Sequence, residues 1–343
     1  MGRSIFLASV FVAALVAALV PAAAHADGLP VLGVDVGSSG VSSGPEGARY
    51  VTIPAGSSTI VERVAQDGGQ VLAWRSLPGT FTIPAVAYDC SAGGLSADGT
   101  TLVLIEPRTS FPRAATRLLV LGSDSLRPRR FVKLKGDFSF DAVSPDGSWL
   151  YLIHYVAPSD PTRYLVQAYD LRGGRLVKAP ITDPNEPGEK MRGNPLSRAM
   201  SSNGRWAYTL YDGAGATPFV HALDTVARSA RCIDLDGVPA GTDLWQLRLV
   251  NDAAGRQLVV RDRATPLLLV DLRTMKVRAA GVQAPLSETR DFAPLKLGAS
   301  GGVFVVLIAS AVGCDESGNV PWTRRSRSRC GCRPAPPSAR SRG

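Results

Sequence analysis

The sequence predicts an all-β chain made of repeated four-stranded antiparallel units, and three observations carry that expectation. A short turn centred on glycine recurs at near-constant spacing: Gly47, Gly99, Gly147, Gly204 and Gly255 lie 52, 48, 57 and 51 residues apart, and a weaker Gly302 follows after another 47. Internal repeats of this length point to solenoids or propellers. The runs beside each turn are rich in Val, Leu, Tyr, Trp and Thr, which suit a pleated surface. Outside the first residues no helical periodicity is sustained.

In chain order, residues 1–26 read as a secretory signal peptide. Arg3 is followed by an unbroken apolar run from Ile5 to Val20, and Ala24-His25-Ala26 forms a small-x-small cleavage site. The expected mature chain is exported to the cell envelope. Residues 27–313 hold the repeats: five clear units and a partial sixth, "KLGASGGVFVVLIAS". In the third unit, "DAVSPDGSWLYLIHY" is a hairpin hinged on Pro145-Asp146-Gly147, and "YLVQAYDLRGGRLVKAPI" adds two more strands around Arg172-Gly173-Gly174. Asp-Gly and Gly-Gly permit the positive φ that such turns need. "WLYLIHY" is apolar on both faces, so it requires cover on both sides. Units of about fifty residues whose central strands are covered on both faces are propeller blades. Asp170, Asp224 and Asp271 recur at the ends of third strands and read as turn acceptors for backbone N–H groups. The early stretch Leu29 to Gly37 is expected to complete the last blade, because a propeller must hide its edge strands.

Ser144-Pro145-Asp146-Gly147-Ser148-Trp149-Leu150-Tyr151 resembles the Ser-Pro-Asp-Gly core of the TolB-type and YVTN-type repeats of bacterial propellers. Ser96-Ala97-Asp98-Gly99 and Ser201-Ser202-Asn203-Gly204 are degenerate copies. The composition is also similar to that of exported propellers of high-GC actinobacteria. The resemblance implies the architecture. It leaves function open, because such propellers include periplasmic scaffolds, lactonase-like enzymes and quinoprotein dehydrogenases.

Charge divides unevenly. Of the formal +9, seven arginines lie between residues 322 and 343 and one is Arg3, so 9 − 7 − 1 leaves +1 for the rest. A nearly neutral body predicts no basic face, and hence no nucleic-acid partner for the folded part. Residues 314–343 are expected to be a disordered Arg-, Pro- and Ser-rich tail. The tail has two readings: a slipped reading frame that has replaced a C-terminal anchor, or a true basic tail that holds anionic polymers or lipid head groups. Membrane association is expected only through that anchor or tail. The five cysteines are odd in number and irregularly spaced, which predicts no disulfide framework.

Function is expected where longer loops gather. Tight turns such as Asp146-Gly147 lie on one rim, and long connections (Glu106 to Thr116, Val156 to Thr162, Asp183 to Ser197, Asp236 to Gln246) lie on the other. The candidate binding residues are Phe138, Phe140, Asp141, His154, Arg192, Arg198, Trp245 and Arg248, since aromatic and Arg side chains suit protein or glycan recognition. No catalytic residue, metal site or cofactor is predicted. His154 and His221 lie in apolar strands, Gly298-Ala299-Ser300-Gly301-Gly302 fits a nucleophile elbow but precedes no helix, and Asp183, Asn185 and Gly188 start a calcium-like loop that lacks its bidentate Glu. The sequence therefore points to a non-enzymatic binding or scaffold module for a protein or envelope polymer. The alternative is a propeller enzyme of the lactonase-like or dehydrogenase-like type.

Overall fold

The computed structural model describes residues 40–42, 47–66, 69–187 and 191–281. The signal peptide, the stretch Leu29 to Gly37, the sixth repeat and the tail lie outside the described residues. Those residues form five antiparallel sheets in chain order, the blades of a β-propeller. Blade 1 holds β1 (Val41–Ser42), β2 (Ala48–Ala55), β3 (Ser58–Ala65) and β4 (Val71–Pro78); blade 2 holds β5 (Thr101–Ile105), β6 (Ala115–Gly122) and β7 (Pro128–Lys135). Blade 3 holds β8 (Asp137–Val143), β9 (Trp149–Tyr155), β10 (Tyr164–Asp170) and β11 (Arg175–Pro180). Blade 4 holds β12 (Pro195–Met200), β13 (Trp206–Tyr211), β14 (Phe219–Asp224) and β15 (Ser229–Asp234), and blade 5 holds β16 (Leu247–Asn251), β17 (Gln257–Asp262), β18 (Thr265–Asp271) and β19 (Lys276–Ala279). The helices among them are two three-residue 3-10 turns, Gly213–Gly215 and Leu244–Gln246.

Blade 2 departs from the expected four strands. Its inner strand is reduced to isolated bridges, among them Leu95 to Leu102, and Gly93-Gly94 explains why. Gly94 has φ +102, and a Cβ there would sit 2.4 Å from the Val103 carbonyl oxygen. The segment presses so closely onto β5 that no side chain fits.

The two-faced strand works as its pattern predicts. Leu150 and Leu152 point into a cluster with Val103, Leu118 and Val120 of blade 2. Tyr151, one residue out of phase, packs with Ala207 and Leu223 of blade 4. Period-two alternation thus places one sheet between two others. The same arrangement joins blade 1 to blade 2 through Val61 and Leu104, and blade 4 to blade 5 through Leu210 and Leu258. At about 25 cal/mol per Å² of apolar surface buried, these interfaces are the main source of stability.

In blades 2 to 5 the inner turn is closed by its own side chains. Ser144 Oγ donates to Asp146 Oδ1 (2.7 Å) and accepts from the N–H groups of Ser148 (3.0 Å) and Trp149 (2.9 Å). Ser96 with Asp98, and Ser201 with Asn203, repeat the device. In blade 5 a single residue, Asp252, accepts from Arg256 and Gln257 N–H. Asp170, Asp224 and Asp271 each accept the N–H groups two and three residues on. They serve the outer turns, as their recurrence predicts.

Candidate functional site

The inner strands of the first four blades surround a cavity of about 320 Å³. Its wall is mostly small: Gly93, Gly94, Ala97, Ala142, Ser202 and Gly204, with Val41 and Ser42 of β1. Against this wall stand Phe140 and one ion pair, Asp141 with Arg198, whose side chains are only 2% and 4% exposed. Among the described residues, no hydrogen-bond partner meets the buried Arg198 Nε.

A β-bulge puts Asp141 there. In the ladder between β8 and β9, Phe140 faces Leu152 and Ala142 faces Tyr151, so Asp141 is the extra residue with no partner opposite. Bulges turn one side chain out of the alternation of its strand. Without it, Asp141 would point into a blade interface, where an unpaired carboxylate is costly.

Of the eight sequence candidates, Phe140, Asp141 and Arg198 line the cavity and five do not. Phe138 is buried and stacks on His154 (centroids 4.1 Å apart, planes at 14°), while His154 Nδ1 lies 2.9 Å from Gln167 Oε1. Arg192 bridges Arg163 through the backbone at the surface. Arg248 Nη1 donates to the carbonyl oxygens of Trp245 and Leu247, both at 2.8 Å. One long connection of the loop-rich rim is tied down by a buried carboxylate. Asp137 Oδ1 accepts from Arg108 Nε (3.1 Å) and Nη2 (2.6 Å), and its Oδ2 accepts from Arg113 N–H (2.9 Å). This anchors the Glu106 to Thr116 loop to β8. Burial pushes the Arg113 guanidinium down to about 10.

A short hairpin, bridged at Ala85 and Ala92, lies at the loop-rich end. Tyr88 and Asp89 donate their N–H groups to the carbonyls of Pro195 (2.9 Å) and Leu196 (3.1 Å). The Tyr88 ring meets Trp245 edge-on at 4.9 Å, and burial, first of several causes, drives its hydroxyl upward. Cys90, at the hairpin tip, is disulfide-bonded, a bridge the odd cysteine count did not predict. The tight-turn end differs. There Ala97 and Ser202 belong both to the cavity and to a second hollow lined by Asp98, Pro145, Asp146 and Asn203. The cavity therefore borders the tight-turn rim, through Ala97 and Ser202. Sequence reasoning missed Gly93, Gly94, Ala97 and Ser202; their signal was present in the degenerate copies "GGLSADG" and "MSSNG".

Among the described residues, no group of three or more His, Cys, Asp or Glu is placed to hold a metal. The turn carboxyls are committed elsewhere. Burial alone would raise Asp146, but hydrogen bonds from Ser144 and Ser148 outweigh it and hold the carboxyl below its usual range. Asp224 is lowered in the same way, by Arg205 and the N–H groups of Ala227 and Val226 against burial. Folded-state values below unfolded ones mean that this stabilisation is complete above the ordinary carboxylate range and disappears as pH falls through the folded values. The urea midpoint is accordingly expected to stay flat on this account from about pH 5 to 7 and to drop steeply below about pH 4. A midpoint unchanged at pH 3 would contradict it.

No protein-family model matches the chain, and no curated protein matches it. Among solved structures, the chain is similar to the hydrazine synthase of Kuenenia stuttgartiensis (14% identity, 71% of this chain and 79% of that one, TM-score 0.38). It is also similar to a putative 6-phosphogluconolactonase from Bacteroides uniformis (15%, 68% and 65%, TM-score 0.38). A third likeness is to TolB from Acinetobacter baumannii (14%, 68% and 56%, TM-score 0.32). At these identities and scores the likenesses assign no activity to the chain.

Proposed function

We propose that the chain is an exported, non-catalytic propeller that binds a protein or glycan partner at the cell envelope, and that the partner enters the cavity from the tight-turn rim. The observation that carries this reading is Arg198 Nε, a buried donor with no partner among the described residues, beside a neutralised ion pair in a wall rich in Gly, Ala and Ser. Such a site offers a directed hydrogen bond to a carbonyl or carboxylate and space for one inserted group. The groups that acid–base chemistry would need are already engaged: His154 with Phe138 and Gln167, Asp137 with Arg108 and Arg113.

Arg198→Lys tests it, because Lys keeps a charge for Asp141 but lacks the Nε donor and the planar fork. A photo-crosslinker is placed at Ser202, at the cavity mouth, or at Trp245 on the other rim, and envelope fractions are irradiated. The expected result is one defined adduct from position 202, weakened by Arg198→Lys and abolished by Ala97→Trp. Adducts from position 245 alone would overturn the reading. So would lactone hydrolysis that Ala97→Trp suppresses.

A further inference from the structure

The near-neutral body conceals a separation of sign. The five outermost strands, β4, β7, β11, β15 and β19, carry ten Lys and Arg and one acid, Asp234. The other acids of the strands sit instead on the inner strand β8 and on middle strands, mostly at their ends. The outermost strands thus carry a local excess of cations that the net charge does not reveal.

The density is greatest on β7, with four cations in eight residues. Phe131, Lys133 and Lys135 share its outward face, while Val132 and Leu134 between them are buried. Arg129 is exposed beside a register shift at Val120 and Leu121. Among the described residues, neither Lys133 nor Lys135 has an ion-pair partner. Phe131 is 54% exposed, and Trp74 on the outermost strand of blade 1 is 65% exposed. Cations on edge strands guard against strand pairing between molecules, which accounts for the scattered ones on β11 and β19. Guarding requires neither four cations on one strand nor an exposed Phe among them.

We infer that the outer wall of blade 2, centred on β7, binds an acidic polysaccharide. Residues two apart on a strand are about 7 Å apart, so Phe131, Lys133 and Lys135 form a straight row of one apolar face and two charges. A linear polyanion meets such a row charge by charge, and a sugar ring lies its apolar face on Phe131. The interaction is solvent-exposed and therefore weakens with salt. It uses a surface separate from the cavity and goes beyond the reading given above.

The test uses the full chain, polygalacturonate as the acidic probe, dextran as the neutral one, and phosphatidylglycerol vesicles as a planar anionic surface. Arg129→Gln/Lys133→Gln/Lys135→Gln is compared with Arg172→Gln/Arg256→Gln/Arg273→Gln, which removes the same charge from exposed turn positions. The first set is expected to weaken polygalacturonate binding at least about tenfold in 0.05 M salt, and the second by less than about twofold. Phe131→Ala is expected to weaken binding by about threefold without changing its salt dependence. Dextran should not bind, and Ala97→Trp should change nothing, which separates this result from the cavity. Equal loss in both charge sets would assign binding to net charge, including the basic C-terminal residues, and would overturn the inference. Tighter binding to vesicles than to polygalacturonate, or no binding to polygalacturonate, would overturn it too.

Discussion

Asp141→Ala is expected to destabilise the protein by about 3–5 kcal/mol, because it leaves a guanidinium buried without its counter-charge. The Arg198 side chain is 4% exposed, so its guanidinium has little bulk solvent to offset the lost partner. A domain stable by about 5–15 kcal/mol would lose a large share of its margin. Urea titration measures the effect, and two companions interpret it. Asp141→Leu combined with Arg198→Met removes both charges and is expected to restore most of the stability, since the desolvation of two ions disappears together. Arg198→Lys should cost less than Asp141→Ala. A loss below about 1 kcal/mol for Asp141→Ala would show that solvent reaches the pair, and the cavity would then be more open than described.

Gly147→Ala is expected to cost about 2–4 kcal/mol, whereas Gly255→Ala, in the corresponding turn of blade 5, should cost only about 1 kcal/mol. The two glycines have nearly the same backbone, φ +66 and +63. Their surroundings differ. A Cβ at Gly147 would sit 2.2 Å from Thr101 Oγ1 and 2.6 Å from Thr101 Cβ, while one at Gly255 meets nothing within 4 Å. The difference between the two variants therefore isolates packing between blades 2 and 3 from backbone strain. Thr101→Ala should relieve the Gly147 variant only in part, because the Thr101 Cβ remains in the way. Thermal unfolding of the variants checks this, and equal shifts for the two glycines would sink it.

The blades were legible because their causes are local. A Ser, an Asp and a Gly within four residues make a turn wherever they occur, and an apolar run with no polar face demands two covers. Asp141 was read as a binding candidate, but its route to the cavity was not readable. It depends on a register shift between β8 and β9, which no single strand's pattern encodes. Loop length is a limited guide to the working rim for a related reason. Loop length measures how much chain is available, not how much is already tied down by Asp137, Arg108 and Arg113. Net charge misled because a sum over residues discards position: ten cations on outer strands and carboxylates in turns add to nearly nothing. The expected four strands of blade 2 failed at Gly93-Gly94, where close approach to β5 replaced a regular ladder.

Successive blades touch mainly their neighbours in order, so such a chain is open to unravelling from either end. The Ala85–Ala92 hairpin interrupts that logic. It leaves the junction of blades 1 and 2 and is hydrogen-bonded to the start of blade 4, which is not the next blade in order. A single proteolytic nick in the Val156 to Thr162 loop would cut the polypeptide and still leave both pieces pinned to each other. The hairpin is in effect a crossbar, and it makes the fold a candidate for complementation from two separately made halves.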